Sequence, residues 1–198
     1  MNIVFDLGGV VFTWNPDGLI SEHFQDPAVR QIVKAQLFKH PDWVELDRGT
    51  LDREEAIERV VQRTGLDKKP IVDLIYSIPE KLIPIPETID YIKRLRAANN
   101  HKLYILSNMH HASINYLEQF YDFWPLFDGK VISCRINMVK PEPEIYFYLL
   151  KRYNLEPGQT VFIDDTQVNL DTAAQLGITT VKFENAEQCE RELSFIIT

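Results

Sequence analysis

The chain has 198 residues, of which 45% are hydrophobic and 25% are charged, a composition typical of a globular protein rather than a disordered or fibrous one. Twenty-one basic residues face 29 acidic ones, and the resulting net charge of −8 excludes a strong attraction to nucleic acid or an anionic membrane. The two cysteines, Cys134 and Cys189, form neither a disulfide framework nor a metal cluster, which favours a reducing compartment.

The N-terminal residues 1–6 lack both the basic region and the apolar stretch of a signal peptide. No apolar run approaches the roughly 18 residues of a membrane span. We therefore expect a cytoplasmic protein that has no nucleic-acid or membrane partner and acts on a small molecule. The sequence leaves the oligomeric state open.

Short apolar runs alternate with helical patterns along most of the chain. The first predicted strand covers residues 2–7 and runs into Gly8 and Gly9. Four further strands are predicted at residues 103–106, 131–132, 161–163 and 178–181, and helices at residues 88–98, 144–153 and 168–176. This alternation predicts an α/β fold, a Rossmann-like, doubly wound parallel sheet.

Residues 14–85 break the alternation because their pattern is helical throughout. Asp52 and Glu55 have the spacing of a capping box, and Gly65 is a helix-stop residue, so one helix is predicted between them. We interpret the whole segment as an inserted helical cap. The predicted domains are thus a core of residues 1–13 and 86–198 and a cap of residues 14–85.

Polar residues end three of the predicted strands: Asp6 the first, Ser107 and Asn108 the second, and Asp164 and Asp165 the fourth. Ligands of open parallel sheets bind beyond the carboxyl ends of the strands, so we expect these side chains to converge there. Three carboxylates at one edge repel one another and require a cation, and oxygen ligands favour Mg²⁺. The hydroxyl and amide groups suit phosphoryl oxygens.

These residues, in this order, resemble the haloacid dehalogenase superfamily. Its first motif, an apolar strand followed by Asp-x-Asp-Gly-Thr/Val, corresponds to residues 4–10, Val-Phe-Asp-Leu-Gly-Gly-Val. The other three motifs correspond to Ser107, to Lys140 before Pro141, and to the pair Asp164-Asp165. The helical insertion after the first motif is similar to the family's C1 cap. The sequences of the motifs most resemble those of the branch that contains bacterial α-D-glucose-1-phosphate phosphatase and the N-terminal phosphatase domain of soluble epoxide hydrolases.

The resemblance implies a catalytic role for Asp6, Lys140 and Ser107. Asp6 would attack phosphorus and form an aspartyl-phosphate that water later hydrolyses. Lys140 would pair with Asp6 and the transferring phosphoryl group. Ser107 and the backbone of Asn108 would bind the phosphoryl oxygens, so that Ser107, Asn108 and Lys140 form the expected substrate-binding set.

The resemblance also implies a Mg²⁺ site. Asp6, Asp165 and the backbone carbonyl of Gly8 would hold the ion, and Asp164 and Asn169 would support its waters or neighbouring groups. The expected metal-site residues are therefore Asp6, Gly8, Asp164 and Asp165.

One position departs from the family pattern. Most family phosphatases have a second Asp two residues after the nucleophile, as general acid and base, and this chain has Gly8 there. Three explanations are open: the natural ester has a good leaving group, such as a sugar 1-phosphate, or a water or cap residue replaces the Asp, or activity is reduced.

The function expected from these motifs is Mg²⁺-dependent hydrolysis of a small phosphomonoester such as a hexose 1-phosphate. One alternative is a 2-haloacid dehalogenase, because that branch also lacks the second Asp; it uses no Mg²⁺ and generally lacks the acidic pair. The other alternative is a catalytically weak phosphosugar-binding protein.

Five other residues attract weaker hypotheses. We expect His110 and His111 to be solvated or to cap a helix, with at most one of them facing the site. One hypothesis for Trp14, Trp43 and Arg48 is that they line the cleft between cap and core and select substrate. We favour the other: the tryptophans pack inside the cap, and Arg48, beside Gly49, is a loop charge.

Overall fold

A computed structural model describes residues 1–197, and the last residue of the predicted core segment 86–198, Thr198, lies outside this range. Its sheet has five parallel strands in the order β3-β2-β1-β4-β5. The strands are β1 (Asn2–Phe5), β2 (Lys102–Ser107), β3 (Gly129–Ile132), β4 (Thr160–Asp164) and β5 (Thr179–Lys182). The chain order reverses on the two sides of β1, so the predicted doubly wound α/β sheet is confirmed.

Eleven α-helices are present in residues 1–197, and prolines occupy the first position of five of them, where a missing N–H costs nothing. They are α1 (Pro16–His23), α2 (Pro27–Val33), α3 (Pro41–Arg48), α4 (Arg53–Thr64), α5 (Lys68–Lys81), α6 (Pro86–Ala98), α7 (His111–Phe120), α8 (Ser133–Ile136), α9 (Pro143–Tyr153), α10 (Gln167–Gln175) and α11 (Ala186–Ile196). A π-helical segment, Lys34–Phe38, follows α2. Within this range no helix is long and apolar enough to cross a membrane.

Both faces of the sheet are buried. Alternate strand residues point to opposite faces, so Ile3 and Phe5 belong to one hydrophobic cluster and Val4 and Phe162 to the other. Helices α6, α7 and α11 cover the first face, and α9 and α10 cover the second. Such two-sided burial explains why the strands are apolar runs rather than alternating patterns.

Helices α1 to α5 share a hydrophobic cluster of their own, which includes Ile20, Ile57 and Leu74. Asp52 accepts a 2.7 Å hydrogen bond from the Glu55 amide at the start of α4, which confirms the predicted cap of that helix. Two backbone hydrogen bonds link the two segments through which the chain enters and leaves these helices. The residue 13 amide donates to the residue 83 carbonyl, and the residue 85 amide donates to the residue 11 carbonyl, each at 2.8 Å. These features support our proposal that residues 14–85 form a cap on a core of residues 1–13 and 86–198.

The turn after β1 depends on Gly9. Its φ is +78°, and a Cβ there would lie 2.7 Å from Cγ of Asp165. Gly8 has no such constraint: its φ is not positive, and the nearest atom to a Cβ would be Cβ of Trp14 at 3.9 Å. A side chain is therefore tolerated at position 8 but not at position 9.

We expect Gly9→Ala to lower the melting temperature by at least about 2 °C, because left-handed backbone costs a residue with Cβ about 1–2 kcal/mol. It should also displace Asp165. Gly8→Ala is the matched control and should melt close to the wild type. Thermal denaturation of the three proteins tests this, and an equal loss in both variants would contradict it.

Candidate active site

The carboxyl edge of the sheet brings the predicted acidic residues together. Asp6 directly follows β1, Asp164 ends the adjacent β4, and Asp165 follows it. Carboxylate oxygens of the three residues all lie within 4.8 Å of one another. Because β2 is the other neighbour of β1, Ser107 reaches the same edge.

Lys140 lies between two of these carboxylates. Its Nζ is 2.9 Å from Oδ2 of Asp6 and 2.6 Å from Oδ2 of Asp164, and the residue is 3% exposed. Burial alone would lower the pKa of Lys140, but the charges of Asp6 and Asp164 outweigh it and raise the pKa. The lysine is therefore a buried cation rather than the solvated charge typical of a loop.

Asp164 and Asp165 have different environments. The buried carboxylate of Asp164 also accepts hydrogen bonds from the Thr166 amide (2.7 Å) and from Nδ2 of Asn169 (3.1 Å to each oxygen). Asp165 is exposed and accepts a 3.2 Å hydrogen bond from the Thr166 hydroxyl. Asp164 is thus largely occupied in orienting Lys140, whereas Asp165 faces the cleft.

Asn108 uses its side chain to hold the loop that carries Lys140. Its Nδ2 donates to the Lys140 carbonyl and its Oδ1 accepts from the Lys140 amide, both at 2.8 Å. The predicted phosphoryl contact of Asn108 therefore falls to its backbone. Ser107 has a fully buried hydroxyl that makes no hydrogen bond of standard geometry among residues 1–197, although it lies near enough to Asp6 to lower the pKa of that carboxyl. A phosphoryl oxygen would satisfy this otherwise costly group.

The acidic cluster has the electrostatic signature of a cation site. Burial raises the pKa of Asp6 to about 7, since the opposing effect of Lys140 is incomplete and Asp164 adds to the rise. Burial and the charge of Asp164 also raise the pKa of Asp165. Three carboxylates with one ammonium leave an excess of negative charge. The all-oxygen donor set fits Mg²⁺.

A cleft of about 490 Å³ separates this edge from the cap helices. Trp14, Phe38 and Trp43 line it, and their rings contact one another, with centroids 6.0 Å apart for the two tryptophans and 4.8 Å apart for Phe38 and Trp43. The tryptophans therefore pack in the cap, as we favoured, and also form the wall of the cleft, as the alternative hypothesis stated. Lys34 and Lys39 also line the cleft.

His110 is the N-cap residue of α7, and its Nδ1 accepts a 3.4 Å hydrogen bond from the Ser113 amide. The residue is only 3% exposed and lines the cleft, so the expected capping role is confirmed and His110 is the histidine of the pair that faces the site. Burial lowers the pKa of His110 to about 4, which makes the ring neutral at pH 7. His111 is exposed.

Arg48 ends α3 and is not a loop charge. Its guanidinium makes two hydrogen bonds of 2.8 and 2.7 Å to the carboxylate of Glu142, two residues beyond Lys140. The Arg48 carbonyl accepts a 3.0 Å hydrogen bond from Nδ2 of Asn137. A cap helix is thereby fastened to the core loop that supplies the buried lysine.

Sequence reasoning missed Asp47, which lines the same cleft from the last turn of α3. Burial raises the pKa of Asp47 to about 7; the backbone N–H of His110 and the ring of Trp43 oppose the rise, as does Lys140, and the charge of Asp6 adds to it. A helix C-terminus disfavours negative charge. An acidic residue in that turn was the only available signal, and it is a weak one.

The family model for haloacid dehalogenase-like hydrolases matches residues 1–177. The chain therefore belongs to that family of hydrolases, and several of its relatives are phosphatases. A sesquiterpene phosphatase of Aspergillus oryzae is 25% identical over 175 residues, which are 88% of this chain and 85% of that protein. A D-ribitol-5-phosphate phosphatase of Bacteroides thetaiotaomicron is 24% identical over 214 residues, covering 99% of this chain and 98% of the other.

Solved structures agree with the fold. A haloacid dehalogenase family enzyme of Bacteroides thetaiotaomicron, in complex with magnesium and inorganic phosphate, superimposes with a TM-score of 0.68 at 22% identity, over 91% of this chain and 92% of that one. An L-2-haloacid dehalogenase superimposes with a TM-score of 0.72 at 17% identity, over 92% and 86%. Similarity at this level establishes the shared core fold and not the substrate.

The raised pKa of Asp47 predicts how the stability of the protein depends on pH. Its carboxyl holds a proton up to about pH 7 when folded but releases it near 3.8 when unfolded, so the carboxyl costs stability increasingly from about pH 4 to 7. Asp47→Asn removes this cost. We expect its gain in melting temperature over the wild type to be larger at pH 8 than at pH 5 by about 2 °C or more.

Asp42→Asn, on the same helix, is the control, because Asp42 pairs with Arg59 and Arg63 and should give no such gain. Melting is measured in EDTA so that metal binding does not contribute. A pH-independent difference between Asp47→Asn and the wild type would contradict the prediction.

Proposed function

We propose that this protein hydrolyses a small phosphomonoester with Mg²⁺ through an aspartyl-phosphate on Asp6. The observation that carries the proposal is the buried ammonium of Lys140 between Asp6 and Asp164, at 2.9 and 2.6 Å, beside a cleft lined by a third carboxylate of the cluster, Asp165. Phosphoryl transfer through an aspartyl-phosphate needs a carboxylate nucleophile and fixed positive groups around the transferred group.

Asp6 is the proposed nucleophile. Its amide donates a 2.9 Å hydrogen bond to the Ile163 carbonyl, and its Oδ1 accepts a 2.6 Å hydrogen bond from the Leu7 amide, so the carboxylate is held by the sheet. Oδ2 contacts Lys140, which opposes the effect of burial on the pKa of this carboxyl and places a positive charge where phosphoryl oxygens would arrive. Ser107 would donate its hydroxyl to one of these oxygens.

Asp6, Asp165 and the carbonyl of Gly8 would hold Mg²⁺, with Asp164 and Asn169 beside them. When bound, the ion would neutralise the charge of the phosphate and of the carboxylates that face it. Asp164 would meanwhile hold Lys140 against Asp6, and Asn108 would fix the backbone of the same lysine.

We propose a sugar phosphate such as a hexose 1-phosphate as substrate. The cleft of about 490 Å³ accommodates a small organic group, and the tryptophan wall offers a flat surface for a ring. A sugar 1-phosphate has a comparatively good leaving group, which suits a chain with glycine at position 8. The relatives named above are a sesquiterpene phosphatase and a D-ribitol-5-phosphate phosphatase. A screen of phosphate esters for the substrate of this protein must therefore include both apolar and polar esters.

Two alternatives remain part of the test. A 2-haloacid dehalogenase also tolerates Gly8, but the acidic pair Asp164-Asp165 and the buried hydroxyl of Ser107 favour phosphate over halide. A phosphosugar-binding protein would keep the same groups without turnover. Halide release without metal would establish the first alternative, and tight binding without turnover the second.

Asp6→Asn is expected to abolish hydrolysis of p-nitrophenyl phosphate, because an amide is a far poorer nucleophile than a carboxylate. We expect less than about 1% of the wild-type kcat, in line with the loss of a covalent nucleophile. Asp90→Asn, an exposed residue of α6, serves as the matched control. EDTA should also stop the wild-type reaction and added Mg²⁺ should restore it. Retention of more than a few per cent of the rate by Asp6→Asn would refute the assignment.

Trp43→Ala is expected to change substrate preference more than stability. Its ring lines the cleft, whereas the phosphoryl group meets only core residues. Relative kcat/KM over hexose 1-phosphates, hexose 6-phosphates, nucleotides and lipid phosphates should therefore change by roughly tenfold. Tyr76→Ala, on the exposed cap surface, is the control. If Trp43→Ala scaled every substrate equally, the aromatic wall would not select substrate.

A further inference from the structure

Position 8 leaves the site without the side chain that would exchange a proton with the leaving group. Gly8 lines the cleft, and a Cβ built there meets only Cβ of Trp14 within 4 Å. The space beside Asp6 is therefore open toward the cap. A group that replaces the missing acid must reach this space from the opposite wall.

Asp47 is the acidic residue that the cap contributes to the wall of this cleft. The other acidic residues lining the cleft, Asp6 and Asp165, belong to the core cluster. Further acids of α3 face elsewhere: Asp42 pairs with Arg59, and Glu45 accepts a hydrogen bond from Arg48.

The backbone of Asp47 is bound to the core. Its carbonyl accepts a 2.5 Å hydrogen bond from the Ser133 hydroxyl, which itself accepts a 2.8 Å hydrogen bond from the Met109 amide after β2. Gly49, with φ +81°, packs so closely on α8 that a Cβ would lie 2.6 Å from the Cys134 carbonyl. Together with the pair Arg48–Glu142, these contacts fix the end of α3 over the strand edge that carries Ser107.

We propose that Asp47 is a catalytic residue, the general acid and base of the reaction, supplied by the cap in place of the side chain that Gly8 lacks. The proposal rests on the phosphatase function proposed above. In the first half-reaction, Asp6 forms a bond to phosphorus, the P–O bond to the alcohol breaks, and the carboxyl of Asp47 gives its proton to the departing oxygen. In the second, the Asp47 carboxylate takes a proton from water as that water attacks phosphorus and frees Asp6, which restores both residues.

The surroundings of Asp47 suit a group that must hold and release a proton near neutral pH. Burial raises its pKa to about 7, and the charged or polar groups that face it are Asp6, Lys140, Trp43 and the backbone of His110. General acid and base catalysis is most efficient when the pKa lies near the working pH. A buried carboxylate without a catalytic role would have the same raised pKa. Kinetic measurements therefore distinguish that case from a general acid and base.

The test compares esters whose leaving groups differ in basicity. Asp47→Asn should lower kcat/KM by about 10²-fold or more on alkyl and hexose 6-phosphates, and less than about tenfold on p-nitrophenyl phosphate, whose leaving group needs no proton. With p-nitrophenyl phosphate the variant should release about one equivalent of nitrophenolate in a burst, because hydrolysis of the aspartyl-phosphate has lost its base. Asp42→Asn should behave as the wild type in both measurements.

Gly8→Asp supplies the second arm, since position 8 has room for a side chain. In the wild-type background it should raise kcat/KM on alkyl phosphates relative to p-nitrophenyl phosphate by less than about threefold, because Asp47 already provides the proton and any effect on the proposed metal-binding carbonyl of residue 8 applies to both esters. In the Asp47→Asn background it should restore at least about tenfold of the loss on the same esters. Melting curves of all variants show whether each is folded.

Three results would overturn the assignment: an equal loss by Asp47→Asn on every ester, no loss at all, or a large gain by Gly8→Asp alone. Should Asp47→Asn fail to fold, the Gly8→Asp result in the otherwise unchanged chain still decides. Absence of phosphatase activity in the wild type would instead overturn the proposed function and is distinct from each of these outcomes.

Discussion

The ammonium of Lys140, enclosed by the carboxylates of Asp6 and Asp164, is the interaction on which the rest of the site depends. Removing one partner from a buried ion pair leaves an uncompensated charge and costs about 3–5 kcal/mol. The neighbouring structure accordingly holds each member: Asn108 binds the lysine backbone, and Asn169 and the Thr166 amide bind Asp164. Of the two carboxylates that contact Lys140, only Asp6 also lines the cleft, and this asymmetry supports its proposed role as the nucleophile.

The cap meets the core where α3 ends, as well as where α5 packs on α7. Arg48 bonds to Glu142 in the loop that carries Lys140, and the Asp47 carbonyl bonds to Ser133 after β3. Trp43, one turn earlier, packs edge-on against His110 with ring centroids 5.9 Å apart. These contacts tie one helix to two core loops, so they hold this wall of the cleft against the carboxyl edge of the sheet.

Much of the fold and of the acidic site follows from the sequence because both depend on local patterns and on topology. An apolar run that stops at Asp6 or at Asp164 already indicates a buried strand with a polar end, and parallel pairing then brings those ends together. Boundaries shift by only one or two residues: β1 ends at Phe5 rather than at residue 7, and β5 begins at Thr179 rather than at residue 178. The resemblance to a family adds the expected role of Lys140. From its position in a loop alone, this lysine would be predicted to be exposed to solvent.

The cap residues resist such prediction for a physical reason. The direction in which Trp43 or Asp47 points depends on how α3 packs against other helices, and a helix of eight residues with acids on several faces does not fix this by its sequence. The consequence reaches the chemistry. In a chain with an acid beside the nucleophile, the core alone would complete the proton transfer, whereas here Gly8 leaves that step to a residue held by the junction of cap and core. Substrate selection and proton transfer then depend on the same wall of the cleft. A ligand that displaced α3 would therefore impair both functions of the protein at once.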